Sequence, residues 1–157
     1  MNVGAWLLWG FGATVVLTAV LAGSQAANLT RMNLPYLLGT MVTPDRDRAK
    51  VIGILLHVLN GWAFSLIYVL AFHTLGAARW WIGAGIGLVH AAFVITVGLP
   101  ALPGMHPRMA GETQGPTVAR QLEPPGRLGL HYGARTPLSL LAAHFVYGAI
   151  LGAFYPL

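Results

Sequence analysis

Apolar residues run through this chain in long blocks, and the ionised side chains gather between them. Residues 1–30, 51–78, 80–107 and 136–157 contain no Asp, Glu, Lys or Arg. A charge at the centre of a bilayer costs several kcal/mol, so windows of this kind are the primary signal of membrane-crossing helices. Each window holds an apolar stretch near the roughly 20 residues that span about 30 Å of hydrocarbon. The pattern predicts helices over Val3–Ala26, Val51–Leu75, Trp80–Pro100 and Pro137–Leu157. The first reads as a retained helix rather than a signal peptide, since no basic residue precedes Arg31 and its apolar stretch exceeds a typical signal core.

Between the spans, residues 27–50 and 101–136 read as two polar loops and residues 76–79 as a short turn, all within one integral membrane domain of 157 residues. Leu34–Val42 is apolar but too short to cross, and Asn33 with Pro35 fits the start of a short helix at the membrane surface. Thr43-Pro44-Asp45 and Thr136-Pro137 each place a capping hydroxyl before a proline, which predicts the start of the second and fourth long helices with Thr43 and Thr136 as caps. The loop 101–136 is rich in Gly and Pro and lacks helical or strand periodicity; Pro103, Pro107, Pro116, Pro124 and Pro125 are expected to break any long helix within it.

Composition agrees with lipid as the solvent. Only 8% of residues are charged and 56% are hydrophobic, whereas a soluble domain is about a quarter charged. The fold class expected is therefore an all-α, four-helix transmembrane bundle. Of the nine cations, Arg31, Arg46, Arg48 and Lys50 fall in the first loop and Arg108, Arg120, Arg127 and Arg135 in the third, leaving only Arg79 for the second. Under the positive-inside rule both termini face outward and the two long loops face the cytoplasm. Trp6, Trp9, Trp80, Trp81 and Tyr155 then cluster at the outer interface, where amphipathic rings anchor. The net charge of +5 is too scattered to track nucleic acid and points to anionic lipid headgroups. With no cysteine, disulfides, thiolate metal sites and thiol redox chemistry are excluded.

Small residues at four-residue spacing mark faces for close helix contact: Gly83, Gly87 and Ala91 on the third span, Gly148 and Gly152 on the fourth, and Gly10, Thr14 and Thr18 on the first. Such faces serve packing within the chain, association with a second copy, or docking of another membrane protein.

The polar residues inside the spans carry what chemistry there is. His57 and His144 lie roughly 9 to 11 Å below the cytoplasmic ends of their helices and His90 roughly 15 Å, at 1.5 Å per residue. Asn60 and Tyr147 each stand three positions after a histidine on the same helix face, and Thr18 reaches a similar level. Hydrocarbon supplies no hydrogen bonds, so these groups need partners. Two readings follow. In one, His57, Asn60, His90, His144, Tyr147 and Thr18 satisfy one another as structural groups. In the other they form a site for haem b, a metal ion, protons or a lipophilic ligand such as a quinone.

No carboxylate lies in any span, which removes carboxylate-bridged metal centres and a general base beside a zinc-bound water. In the loop, Met105, His106 and Met109 with Glu112 offer soft copper ligands, or an interfacial packing element. His131 is equally two-sided, and His73 is expected to be solvated. Phosphate-binding, dinucleotide-binding, nucleophile-elbow and HExxH motifs are all absent. A non-enzymatic accessory or assembly role is the first expectation, and a small binding or transfer unit the second.

Three strings, Asn33-Leu34-Pro35-Tyr36-Leu37-Leu38-Gly39-Thr40, Gly98-Leu99-Pro100-Ala101-Leu102-Pro103-Gly104-Met105-His106-Pro107-Arg108-Met109 and Ala143-His144-Phe145-Val146-Tyr147-Gly148, give the chain its resemblance to a group of small bacterial four-helix membrane proteins without an established activity. The resemblance implies an inner-membrane location and lends no catalytic residue.

Overall fold

The computed structural model describes all 157 residues. The chain is all-helical, without strands, and four of its helical segments are long and apolar enough to cross a membrane: Val3–Ala26, Arg46–Leu75, Trp80–Met105 and Thr136–Phe154. We label the helices α1 (Val3–Ala26), α2 (Leu34–Val42), α3 (Arg46–Leu75), α4 (Trp80–Phe93), α5 (Leu99–Met105) and α6 (Thr136–Phe154).

Local chemistry sets the ends. Asn2 and Asn33 cap α1 and α2, their side chains accepting from the amides of Ala5 and Tyr36. The cap of α3 is Asp45, which accepts from Arg48 N, whereas Thr43 closes α2 and its hydroxyl accepts from Asp45 N. Thr136 is likewise no cap: it is the first residue of α6, and its hydroxyl instead pairs with Thr30 Oγ1 at 2.7 Å. In both places a tertiary or turn contact takes the hydroxyl that the local motif assigns to the helix. Gly76 ends α3 in the left-handed conformation, φ 65°, which costs glycine nothing.

The third long segment does not stop at Pro100. A π-turn over Val94–Gly98 joins α4 to α5, with Leu99 N donating to the Val94 carbonyl five residues back. A proline lacks the N–H for the ordinary bond and crowds the carbonyl four residues before it. The wider turn just ahead of Pro100 relaxes that crowding, so Pro100 and Pro103 are both carried inside helix.

Glycine decides how the helices meet. Gly83 and Gly148 face each other so closely that a Cβ on either would overlap the other's carbonyl; Gly87 stands likewise against the His144 carbonyl and Gly152 against that of Arg79. The stripes on α4 and α6 are thus filled by each other, backbone on backbone. On the opposite side of the bundle Gly61 of α3 takes the Thr14 side chain of α1, and Gly10 of α1 takes Ser65. Thr14 and Thr18 donate to the carbonyls of Gly10 and Thr14, at 2.7 and 2.8 Å. No comparable seam joins α3 to α4: the main contacts among the long helices run α4 to α6, α6 to α1 and α1 to α3, with a lesser one between α3 and α6.

Rather than lying free on a surface, α2 packs antiparallel along the first two turns of α3. Gly39 abuts the Ala49 carbonyl and Gly53 the Pro35 carbonyl, approaches that any side chain on these glycines would block. The long loop is folded over this pair. Met109 pairs with Leu122 in an isolated bridge, and the Met109, His106 and Tyr132 side chains are buried. Arg31 N donates to the Tyr132 carbonyl at 2.7 Å, and the Arg31 guanidinium meets Glu123 at 3.1 Å and the His131 carbonyl, tying the two loops together.

Candidate functional site

Three helices bring His57, His90 and His144 to one cavity of about 140 Å³, which Asn60 also lines. Its remaining wall is apolar, from Leu17, Leu34, Leu38, Phe64 and Val94. Residues from α1, α2, α3, α4, the π-turn and α6 thus meet at one level of the bundle.

The ring nitrogens are ordered by their partners. The Thr18 hydroxyl spends its proton on the Thr14 carbonyl, so at 3.0 Å from His57 Nδ1 it accepts and Nδ1 carries the hydrogen. His144 Nδ1 lies 2.8 Å from the Leu140 carbonyl, which only accepts, so this nitrogen is protonated too. The buried Tyr68 hydroxyl has His90 Nδ1, 3.0 Å away, as its partner and donates to it. His57 and His144 therefore keep an unprotonated Nε2, and His90 keeps an Nε2–H. None of the three Nε2 atoms hydrogen-bonds within the chain. The His90 and His144 rings meet edge to face, centroids 4.8 Å apart, and Phe64 lies 4.8 Å from His90.

Two expected companions behave differently. Tyr147 donates to the Gly61 carbonyl at 2.6 Å and packs edge-on against Tyr68 with centroids 5.1 Å apart, so it braces α6 against α3 and leaves the imidazoles alone. Asn60 lines the cavity from an exposed position and makes no side-chain hydrogen bond. Thr18 is the direct partner of His57. Sequence reasoning does not single out Tyr68 and Phe64. Tyr68 carries the same signal as the histidines, a polar group in a charge-free window, but it stands eleven residues from His57, outside the stretch that spacing marks.

Beside His90 a second, outward-facing groove of about 370 Å³ opens between α3 and α4, lined by Phe64, Ile67, Tyr68, Ile86, Val89 and Phe93. Phe64 and His90 belong to both spaces. Phe64 and His90, 4.8 Å apart between ring centroids, are thus the partition between the outer groove and the imidazole cavity.

A haem does not fit this geometry. A cavity of about 140 Å³ is too small to enclose a macrocycle, and the contact between His90 and His144 closes the gap one needs. No group of three His, Cys, Asp or Glu is placed to hold a metal ion.

The loop set Met105, His106, Met109 and Glu112 does not converge. Met105 is 69% exposed, Met109 is fully buried, and Glu112 accepts from Gly126 N at 2.9 Å. His106 is a structural lock. Its Nδ1 accepts from Arg108 N at 3.0 Å, so Nε2 carries the hydrogen and donates to the Leu37 carbonyl at 3.0 Å, while Thr40 Oγ1 lies 3.1 Å away. Burial holds its pKa below the ordinary histidine value, against the smaller opposing effect of the Leu37 carbonyl. Tyr132, whose hydroxyl donates to the Glu123 carbonyl at 2.5 Å, is pushed up to about 12 by burial. His73 is exposed yet not merely solvated, since its Nε2 lies 3.0 Å from the Tyr155 hydroxyl, which also accepts from Asn2 N at 2.9 Å.

Neither protein-family models nor curated proteins nor solved structures gave a match to this chain.

Proposed function

We propose that the protein is a multi-pass bacterial inner-membrane protein with both termini outside, and that it binds a small lipid-soluble ligand bearing a hydrogen-bonding oxygen, of the quinone or quinol type. The orientation rests on the distribution of cations, eight in the two long loops against Arg79 in the short turn. The location rests on the resemblance to bacterial inner-membrane proteins.

One observation carries the binding reading: three imidazoles whose Nδ1 atoms are fixed by Thr18, Tyr68 and Leu140 share a cavity with their Nε2 atoms unbonded. Two acceptors and one donor, with the Asn60 amide beside them, suit a molecule that both gives and takes a hydrogen bond. The open α3–α4 seam supports arrival from lipid. An accessory role through the small-residue faces has less behind it, because Gly83, Gly87, Gly148 and Gly152 are occupied within the chain.

The test is binding of decylubiquinol to protein in mild detergent. Wild type should bind it saturably, His90→Ala should weaken binding about tenfold, the worth of one well-formed hydrogen bond in a dry site, and His73→Ala should leave it unchanged. Absence of saturable binding, or equal binding by a protein lacking all three imidazoles, overturns the reading.

A further inference from the structure

At the loop end of the bundle two adjoining hollows, of about 620 and 320 Å³, share Tyr36, Arg46 and Leu122 as common walls. Arg31 and Lys50 also line the first, and Arg108 the second, against Glu123 as the one acid. Three of these four cations are already engaged: Arg31 with Glu123 at 3.1 Å, Lys50 with Asp47 at 2.9 Å, and Arg108 with the Thr40 carbonyl at 2.5 Å. Arg46, which stands between the hollows, has neither an ion pair nor a hydrogen bond. Such a wall favours a phosphate, which arginine grips through its planar fork and lysine as a point charge.

What lies beneath distinguishes a lipid from a soluble phosphate. Gln25 and Asn33, bonded to each other at 3.2 Å, line the larger hollow and also the top of a narrow groove of about 120 Å³. The groove is walled mainly by Leu21, Ala22, Leu34 and Ile54, from α1, α2 and α3. A polar, cationic chamber therefore adjoins an apolar groove alongside the membrane-length helices, with the Gln25–Asn33 pair at their border.

We infer that this is a built site for an anionic phospholipid, its phosphate held at Arg46 with Lys50 and Arg31 and the upper part of one acyl chain lying in the Leu21–Ile54 groove. The site is separate from the histidine cavity and stands or falls independently of it; it requires only that the long helices lie in a bilayer. Bulk attraction of scattered cations to a charged membrane surface adds about 1 kcal/mol per residue with no fixed partner. A built site differs in depending on particular residues.

The experiment is native mass spectrometry of protein released from neutral detergent after titration with phosphatidylglycerol, phosphatidylcholine or inorganic phosphate. Phosphatidylglycerol should be retained about tenfold better than phosphatidylcholine, one charge-assisted hydrogen bond's worth. Arg46→Gln should abolish that preference, and Arg48→Gln, a neighbouring cation that lines neither hollow, should preserve it. Ala22→Phe, which fills the groove, should lower retention of phosphatidylglycerol. Thermal unfolding of each variant establishes that it is folded. Equal retention of the two lipids, or equal loss with Arg48→Gln and Arg46→Gln, overturns the site. Arg46-dependent binding of inorganic phosphate, with phosphatidylglycerol unaffected by Ala22→Phe, overturns the lipid and assigns the chamber to a soluble phosphate compound.

Discussion

The α4–α6 seam and the α3–α4 seam differ in what stands on the facing helices. Across the first, Gly83, Gly87, Gly148 and Gly152 let backbones touch. Across the second, Phe64, Tyr68 and His90 hold the helices apart and bridge them with side chains, including the 3.0 Å Tyr68–His90 bond. Lipid tails are as apolar as leucine, so nothing forces a membrane bundle to close everywhere. It closes where small residues permit contact, and where rings stand it leaves an open groove.

The largest effect that breaks this contrast comes from the closed seam. Gly83→Leu or Gly148→Leu drives a side chain into a backbone carbonyl that cannot yield, and should cost more than about 4 kcal/mol, the range reserved for severe packing damage. Gly85, on α4 with no neighbouring atom within 4 Å of where a Cβ would stand, is the control: Gly85→Ala should be neutral or stabilise by up to about 1 kcal/mol. Reversible unfolding in mixed micelles reads both. Overlapping curves for Gly83→Leu and Gly85→Ala would remove glycine contact as the cause of closure.

Next comes the brace between the seams. Tyr147→Phe deletes the 2.6 Å bond to the Gly61 carbonyl without changing shape, and should cost about 1 kcal/mol in the same assay. An unchanged midpoint would mean that ring packing alone sets the α6–α3 spacing.

Acidification should also destabilise the loop lock. The folded state holds His106 neutral, with its pKa lowered by burial, so the unfolded chain takes up the proton first. Stability from this group is full above the unfolded value near 6.5 and falls as pH drops below it toward the folded value. Protonation also removes the Nδ1 lone pair that receives Arg108 N. Protection of the amides across residues 106–132, taken relative to the intrinsic exchange rate at each pH, should fall as pH drops through about 6.5, and His106→Asn should flatten the response. A loss of protection of equal size in that variant would assign the effect to another group.

Smallest is the effect on the open seam. Phe64 is 39% exposed and Ile67 55%, so in lipid their truncation exposes apolar wall to apolar solvent. Phe64→Ala should cost under about 1 kcal/mol in stability while weakening ligand binding beside His90. A large loss of stability would show that the seam is sealed after all.

How far the sequence reaches follows from which contacts are local. Charge-free windows mark four long helices because the cost of a buried ion is a property of composition and length. The i to i−4 bonds of Thr14 and Thr18 are likewise internal to one helix. Levels along the helices can be counted, and His57, His90 and His144 do share a cavity. Which faces those residues present to one another depends on how each helix is rotated, and rotation is fixed by pairs such as Gly83 with Gly148. Thus Tyr147 turns to a carbonyl and Tyr68 takes His90. Thr43 and Thr136 have the local motif of caps, but the fold offers their hydroxyls other partners. The course of α2 along α3 hangs on Gly39 and Gly53 together, two glycines fourteen residues apart with no common motif.

The π-turn at Val94–Gly98 also governs what lies downstream of it. One surplus residue in a helix advances everything after it by about 100° around the axis, and here that advance precedes the stretch that delivers His106 to Leu37 and Thr40. The bulge therefore sets the azimuth at which the third span hands the chain to its loop. Removing Thr96 should straighten the helix, swing His106 off its latch and leave the loop undocked, although every side chain in the loop would still be present.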